Sequence, residues 1–396
     1  MKLLVFGAGS KLAQSLFYIL KNNPLYTSTW ISSKKQPDWF SEFNWVVGDI
    51  LDTLFIENII NTIQPDVLIN LAAYTNVDGC EEDKFSSHQI NFEFPNTLST
   101  LALTYNKKLI HISTDYVFDG KKGLYNIHDE VLDSQLSWYA LSKKDSEKVV
   151  ISSNGCVIRT NVLYGSEQSS PDFLSWLKKQ YEANQEISIV YDQFNNPTLY
   201  RELAICVMKV IEKDLKGIIH SGGQDWMSRW ELAQVYALSL NKDPELLELN
   251  PVATQELNQK AIRPLYGGLD ISESELLLDM KFTGIYDYIL EHSTLNTEEL
   301  QTHYLIFKRT IFVLRKIPNE LRKNSFIKLK KNPHKTISII IQNNSVWSEI
   351  EIGLKSFSGL LYGYNSNSSI NLHIGDIYDE ITIENFINSL HAHIKE

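Results

Sequence analysis

Cysteine is scarce in this chain: three in 396 residues, Cys80, Cys156 and Cys206, far apart in sequence. That spacing excludes a disulfide scaffold and a CxxC zinc site, and it suits a reducing compartment. The opening Met1–Phe6 stretch begins like a secretory leader, but its apolar run stops at Gly7, well short of an h-region, and a cytoplasmic protein is expected. Internal repeats are missing, and so are low-complexity tracts beyond a short loop at Asn365–Ser369. No metal-ligand constellation is present. His391 and His393, two apart near the terminus, read as solvated.

What is present is a core-forming composition, 43% hydrophobic against 21% charged. The length exceeds one ordinary domain and suits two or three. Net charge is −11, unevenly spread: Tyr304–Lys335 holds ten Lys/Arg and one acid (Glu320), a local +9 that leaves −20 on the rest. Global acidity argues against a nucleic-acid binder. The basic helix-like run Tyr304–Ile317, within the stretch 304–335, has two readings. It lies on an anionic membrane or recruits a protein partner such as a glycosyltransferase, or it packs its apolar face on the body while its cations meet acids. The second is preferred.

The first 160 residues alternate β-like runs with helical patterns. Lys2–Phe6, Thr29–Ser32, Trp45–Val47, Val67–Leu71 and Lys108–Ile112 read as strands, Lys11–Lys21 as a helix. Ile56, Ile59, Ile60 and Ile63 mark one helix face, with Asp52 available as its N-cap. This rhythm predicts an α/β fold, a Rossmann-type doubly wound parallel sheet whose ligands bind beyond the strands' carboxyl ends. Four segments are expected: a cofactor-binding core over 1–158, a smaller substrate-binding lobe with returns to the core over 159–292, a basic helical segment over 293–335 and a small α+β unit over 336–396. Helices are expected over Phe173–Ala183, Leu203–Glu212, Arg229–Ser239 and Ile383–Ile394, with a chain break near Lys328–Lys335.

The first strand runs into Gly7-Ala8-Gly9-Ser10-Lys11-Leu12-Ala13, a turn that lets backbone approach a pyrophosphate at a helix N-terminus, or else an ordinary βα turn. In the GxxGxxG form of that motif the second glycine falls on Ser10, a departure at the phosphate. After the second strand come Ser33, Lys34 and Lys35 with no acid until Asp38. A hydroxyl and ammonium groups suit a 2′-phosphate, so NADPH is preferred to NADH, although surface lysines are commonly just solvated. Asp49 is placed to accept from an adenine amino group, or serves as a turn residue or cap.

Tyr139 and Lys143 share a face of the expected helix Trp138–Val150. An ammonium about 4 Å from the phenol contributes roughly 4 kcal/mol at an effective dielectric near 20, a ceiling of about three pKa units. The expectation is therefore a Tyr139 lowered toward neutrality and able to move a proton. Thr114, with Ser113 as second choice, is a strand-end hydroxyl positioned for a substrate oxygen, or a turn cap.

Taken together these stretches resemble an extended short-chain dehydrogenase/reductase, and more narrowly the dTDP-4-dehydrorhamnose reductase family. The resemblance rests on Asn70–Asp78, His111–Gly120, Tyr139-xxx-Lys143, Ile158–Gly165, Asp192–Thr198, His220–Gly223 and Arg263-Pro264, in order, over residues 1 to about 292. It implies NADPH-dependent reduction of the C4 ketone of a nucleotide-activated 4-keto-6-deoxy sugar, with Thr114, Tyr139 and Lys143 catalytic. It implies a cofactor site of Gly7, Gly9, Ser10, Lys11, Leu12, Ser33, Lys34, Asp49 and Ile50, completed by Leu71, Ala72, Ala73 and Asn91 along with Tyr139 and Lys143. Substrate contacts implied are Thr75, Val77, Asp115, Arg159, Asp192, Gln193 and Thr198, with Arg159 equally readable as a structural ion pair. Tyr116 stands where related 4,6-dehydratases carry a second carboxyl, which disfavours dehydration. Val162 replaces a usual tryptophan and reshapes a sugar-stacking wall. Alternatives within the fold are a non-catalytic NADP-binding regulatory subunit, like the methionine adenosyltransferase β subunit, and a nucleotide-sugar epimerase. A homodimer is compatible with all three.

Overall fold

A computed structural model describes residues 1–131, 136–165, 172–332, 336–343, 346–352, 357–363, 372–374 and 387–388. They form two compact units. The first comprises residues 1–172, 195–224 and 258–283; the second comprises 173–194, 225–257 and 284–396.

The first unit is built on seven parallel strands: β1 (Lys2–Phe6), β2 (Thr27–Ser32), β3 (Asn44–Val47), β4 (Val67–Asn70), β5 (Lys108–Thr114), β6 (Cys156–Thr160) and β7 (Gly217–Ser221). Their order across the sheet is β7-β6-β5-β4-β1-β2-β3. Helices α1 (Lys11–Leu20), α2 (Thr53–Ile63), α3 (Phe94–Thr104), α4 (Trp138–Ser152) and α5 (Tyr200–Glu212) follow in chain order. Alternation along the strands decides which helix meets which face. Leu3, Val5, Ile69, Ile110 and Ile158 pack with Leu16 and Phe17 of α1 and Val207 of α5. Leu4, Phe6, Leu68, Leu109 and Val157 pack with Ile56 and Ile60 of α2 and Leu98 of α3. The doubly wound parallel sheet expected from the sequence is present. Asp52 caps α2, its carboxylate accepting from Phe55 N at 3.0 Å.

The second unit contains a parallel pair, Ile187–Val190 with Leu249–Val252, helices α6 (Arg229–Ser239) and α7 (Gln301–Lys316), and an antiparallel sheet. Its strands lie in sequence order: β8 (Phe326–Asn332), β9 (Thr336–Asn343), β10 (Val346–Ile352), β11 (Phe357–Gly363) and β12 (Leu372–Ile374). The break expected near Lys328–Lys335 is instead largely the strand β8. Ile327 and Leu329 are buried while Lys328 and Lys330 are more exposed, so the charges sit on the solvent phase of a period-two pattern.

α7 buries Ile306, Phe307, Ile311 and Leu314. Four cations of the basic stretch meet acids within the same unit: Arg315 pairs with Asp225 and Asp287, Arg322 with Glu231, and Lys328 and Lys330 with Glu245. Among the described residues no helix is long and apolar enough to cross a membrane. The Asn365–Ser369 loop, His391 and His393 lie outside the described residues, as does the Ile383–Ile394 helix apart from residues 387–388.

Candidate active site

Two cavities lie at the carboxyl ends of the first unit's strands. One, of about 350 Å³, is walled by Gly7, Gly9 and Ser10 from the β1–α1 turn, Ser32, Ser33 and Lys34 after β2, Asp49 and Ile50 after β3, and Leu71, Ala72 and Ala73 after β4. The other, of about 420 Å³, shares Ser10, Leu71 and Ala73 with it. Its walls continue through Lys11, Leu12, Thr75, Val77, Thr114, Asp115, Tyr139 and Lys143, and it adds Tyr116, Asn161, Val162 and Tyr200.

The glycine turn earns its composition at Gly7. Its φ is +81°, and a Cβ there would sit 2.5 Å from the Ala72 nitrogen, so only glycine lets β1 and β4 close at this point. Ser10 departs from glycine to a specific end: its hydroxyl caps α1, accepting from Ala13 N at 3.1 Å. The other first-turn donors, Lys11 N and Leu12 N, have no acceptor within the helix and lie at the second cavity's wall. Asp49 both forms its turn, accepting from Leu51 N at 2.9 Å, and faces the first cavity. These are the features a dinucleotide needs: close backbone approach, free N–H groups, a cation at Lys34 and two adjoining cavities.

β5 and α4 bring Thr114, Tyr139 and Lys143 to one cavity. Ser137 caps α4, accepting from Ala140 N, and sets the helix start just before Tyr139. Tyr139 lies edge-on to Tyr116, ring centroids 5.9 Å apart. Its pKa is not lowered toward neutrality as the i, i+4 spacing led us to expect. Burial pushes it well up; the Thr114 hydroxyl bond works the other way, while Tyr116, Asp115 and Cys80 add to the rise. Lys143, on the same cavity wall, is bonded to groups of β5. Its Nζ donates to the Ile112 carbonyl at 2.7 Å and lies 2.8 Å from His111 Nε2. Burial pulls Lys143 down to about 7, against the charge of Glu147.

Thr114 and Ser113 divide their duties. Ser113 donates to Glu147 Oε1 at 2.5 Å. The Thr114 hydroxyl accepts from Tyr116 N at 3.2 Å and lines the larger cavity. Asp115 is buried, accepts from Gly268 N at 3.0 Å and lines that cavity too.

Other expected contacts are used elsewhere. Arg159 makes a buried two-point pair with Glu147, 2.7 Å at the shortest, and lies over the Phe118 ring. Asn91 clamps the Tyr74 backbone, accepting from its N at 2.8 Å and donating to its O at 3.1 Å. Thr198 is enclosed, its one hydroxyl hydrogen placed between two acceptors, Asn161 Oδ1 and the Ser221 carbonyl. Asp192 and Gln193 belong to the second unit, where both bond Thr254. Neither the cavity-lining Asn161 and Tyr200 nor the Asn70–His111 pair behind Lys143 was singled out from sequence. The available signal for the pair was a polar residue ending one aliphatic strand, and a histidine within another, Leu109-Ile110-His111-Ile112.

Comparison with known proteins gives the following. The family model for the RmlD substrate binding domain matches residues 1–288. The dTDP-4-dehydrorhamnose reductase of Aggregatibacter actinomycetemcomitans is 28% identical over 286 residues, 69% of this chain and 91% of the relative. Methionine adenosyltransferase 2 subunit beta of Pongo abelii is 29% identical over 239 residues, 58% of this chain and 70% of that one. Among solved structures, dTDP-4-dehydrorhamnose reductase from Bacillus anthracis str. Ames in complex with NADP aligns with a TM-score of 0.64 at 25% identity, covering 75% of this chain and 99% of that one.

Proposed function

This chain belongs to the RmlD substrate binding domain family, and from that premise we propose that it is an NADPH-dependent reductase of the C4 ketone of a nucleotide-activated 4-keto-6-deoxy sugar, serving deoxysugar and polysaccharide precursor synthesis. The observation that carries the reading is the convergence of Thr114, Tyr139 and Lys143 on one cavity, adjoining another lined by Gly7, Lys34 and Asp49. When bound, the cofactor supplies hydride to C4. Gly7 and the first turn of α1 hold its diphosphate, Ser33 and Lys34 its 2′-phosphate, and Asp49 its adenine amino group. Tyr139 Oη gives its proton to the oxygen that gains charge at C4, and Thr114 Oγ1 bonds the same oxygen. The raised pKa of Tyr139 keeps that proton in place until the ketone is reduced. Tyr116, standing in the cavity where a dehydratase needs a carboxyl, leaves simple carbonyl reduction as the chemistry.

The test is NADPH oxidation across dTDP-, UDP-, GDP- and CDP-4-keto-6-deoxy sugars, with product stereochemistry read by NMR. One sugar nucleotide should be turned over with stoichiometric NADPH consumption, and Tyr139→Phe should lower turnover by about 10²–10⁴-fold while still binding NADPH. Unchanged turnover in Tyr139→Phe would sink the assignment. The 29% identity to methionine adenosyltransferase 2 subunit beta supports a second reading, a cofactor-binding regulatory subunit. NADPH binding with no consumption across the panel would favour it, and catalytic rather than stoichiometric cofactor use would favour an epimerase.

A further inference from the structure

Behind Lys143 lies a buried chain of hydrogen bonds whose donors and acceptors can be counted. Asn70, His111, Lys143 and Ser146 are each no more than 1% exposed. The chain begins at a backbone group that can only donate: Ala72 N bonds Asn70 Oδ1 at 3.0 Å. That fixes the Asn70 amide, so its Nδ2 donates to His111 Nδ1, 3.0 Å away. An imidazole accepting at Nδ1 carries its proton at Nε2. Nε2 faces two atoms, Ser146 Oγ at 3.1 Å and Lys143 Nζ at 2.8 Å. The single Ser146 hydroxyl hydrogen goes to the Lys143 carbonyl at 2.6 Å, which leaves its oxygen free to accept.

Lys143 therefore faces an N–H. An ammonium there would set donor against donor at 2.8 Å. A neutral amine fits instead: one N–H serves the Ile112 carbonyl, the lone pair takes the Nε2 proton, and the remaining N–H is left for the cavity that Lys143 lines. We propose that His111, locked by Asn70 in its Nε2–H form, is a positioning residue that holds Lys143 as a neutral amine and so decides when Lys143 carries charge beside Tyr139. This rests on the reductase reading for its role, but not for the tautomer itself.

Burial gives independent support. It pulls Lys143 down to about 7, and burial first, then Lys143, holds the His111 imidazole well below its ordinary value. The other groups that face this site are accounted for. Glu147, one turn along α4, is bound by Arg159 of β6 and Ser113 of β5. Asp115, Tyr116 and Lys11 line the same cavity as Lys143, with Tyr139 on its own helix. Charging Lys143 requires the ring proton to leave Nε2 for Nδ1, and that turns the Asn70 amide away from Ala72 N.

Asn70→Asp inverts the chain with little change of shape. A carboxylate still accepts from Ala72 N but cannot donate to Nδ1, so the ring proton moves there and Nε2 becomes an acceptor for an ammonium. Imidazole ¹⁵N spectra, with His111 assigned by its loss in His111→Gln, should show the Nε2–H form in the wild type at pH 8 to 9, passing to Nδ1–H as Lys143 gains its proton at lower pH, and the Nδ1–H form throughout in Asn70→Asp. Lysine side-chain ¹³C titration should place the Lys143 midpoint near neutrality, rising by about one pH unit or more in Asn70→Asp. An Nδ1–H wild type at pH 8 to 9, or an unmoved Lys143 midpoint, overturns the proposal. Ser146→Ala leaves the Asn70–His111–Lys143 chain intact and should keep the wild-type tautomer, so it serves as the second variant if Asn70→Asp does not fold; a changed tautomer there also overturns it. These spectra need no substrate and stand apart from any failure of the sugar panel. Where a substrate is found, the kcat pH profile of Asn70→Asp should shift with the Lys143 midpoint, and an unshifted profile removes the positioning role.

Discussion

Two enclosed side chains, one in each unit, are cations in water, and the two are treated in opposite ways. Arg322, 3% exposed, lies against Glu231, itself 1% exposed, with Tyr286 bonded to the same carboxylate. Burial works against the charge of Arg322, but Glu231 outweighs it and holds the guanidinium above its ordinary value. Lys143 is offered a carbonyl and an imidazole, and the nearby carboxylate of Glu147 is already bound by Arg159. A guanidinium cannot shed its proton, whereas a primary amine can. Enclosure therefore makes a permanent ion pair at Arg322 and a titratable group at Lys143, which is the difference between a fastening and a switchable charge.

Breaking the fastening should give the largest effect. Arg322→Met strands Glu231 in the interior and should cost about 3–5 kcal/mol of stability by urea unfolding. Adding Glu231→Gln should recover most of it, because the uncompensated charge causes the loss. In the first unit the counterpart is a slope. Lys143 titrates at about 7 when folded against 10.5 when unfolded. Between those values the unfolded chain binds more protons, so stability rises with pH by up to about 1.4 kcal/mol per pH unit, and below 7 the full penalty applies. Lys143→Met should flatten that slope in unfolding measured from pH 6 to 10; an unchanged slope would mean that Lys143 is charged as Arg322 is. The smallest effect belongs to the half-exposed cluster of Lys328 and Lys330 on Glu245. Glu245→Gln should move stability by no more than about 1 kcal/mol, and the effect should fade in high salt.

Legibility in the sequence followed periodicity and position. The doubly wound sheet was readable because its buried strands are short aliphatic runs between helix faces such as Ile56–Ile63. That Thr114, Tyr139 and Lys143 would share a cavity was readable because each sits at a strand end or on one helix face. Their charge states were not, because those depend on burial and on partners from other elements. Nothing local in Tyr139-xxx-Lys143 reveals that His111 of β5 stands behind the lysine. Arg159, Asn91 and Thr198 fell in recognisable stretches, yet a motif does not show which neighbour takes the side chain's bonds. The basic stretch misled for a related reason. Four lysines between Lys328 and Lys335, with Asn332 and Pro333 among them, suggest a break, but alternation with Ile327 and Leu329 makes the first part of it a strand.

β8 lies at one margin of its sheet, where outward-facing peptide groups would invite another chain to pair. Instead Gln234 of α6 behaves like a piece of neighbouring backbone: its Oε1 accepts from Leu329 N at 2.8 Å and its Nε2 donates to the Ile327 carbonyl at 3.0 Å. Trp230 adds a second donor to that carbonyl at 2.8 Å. A single amide thus impersonates a sixth strand and stops the series there. The isoleucine-rich hairpins beyond it are the kind of sequence that polymerises when a margin is left open. In this molecule that margin is closed by side chains some ninety positions upstream, Gln234 foremost with Trp230 and Asp243, rather than by the strand itself.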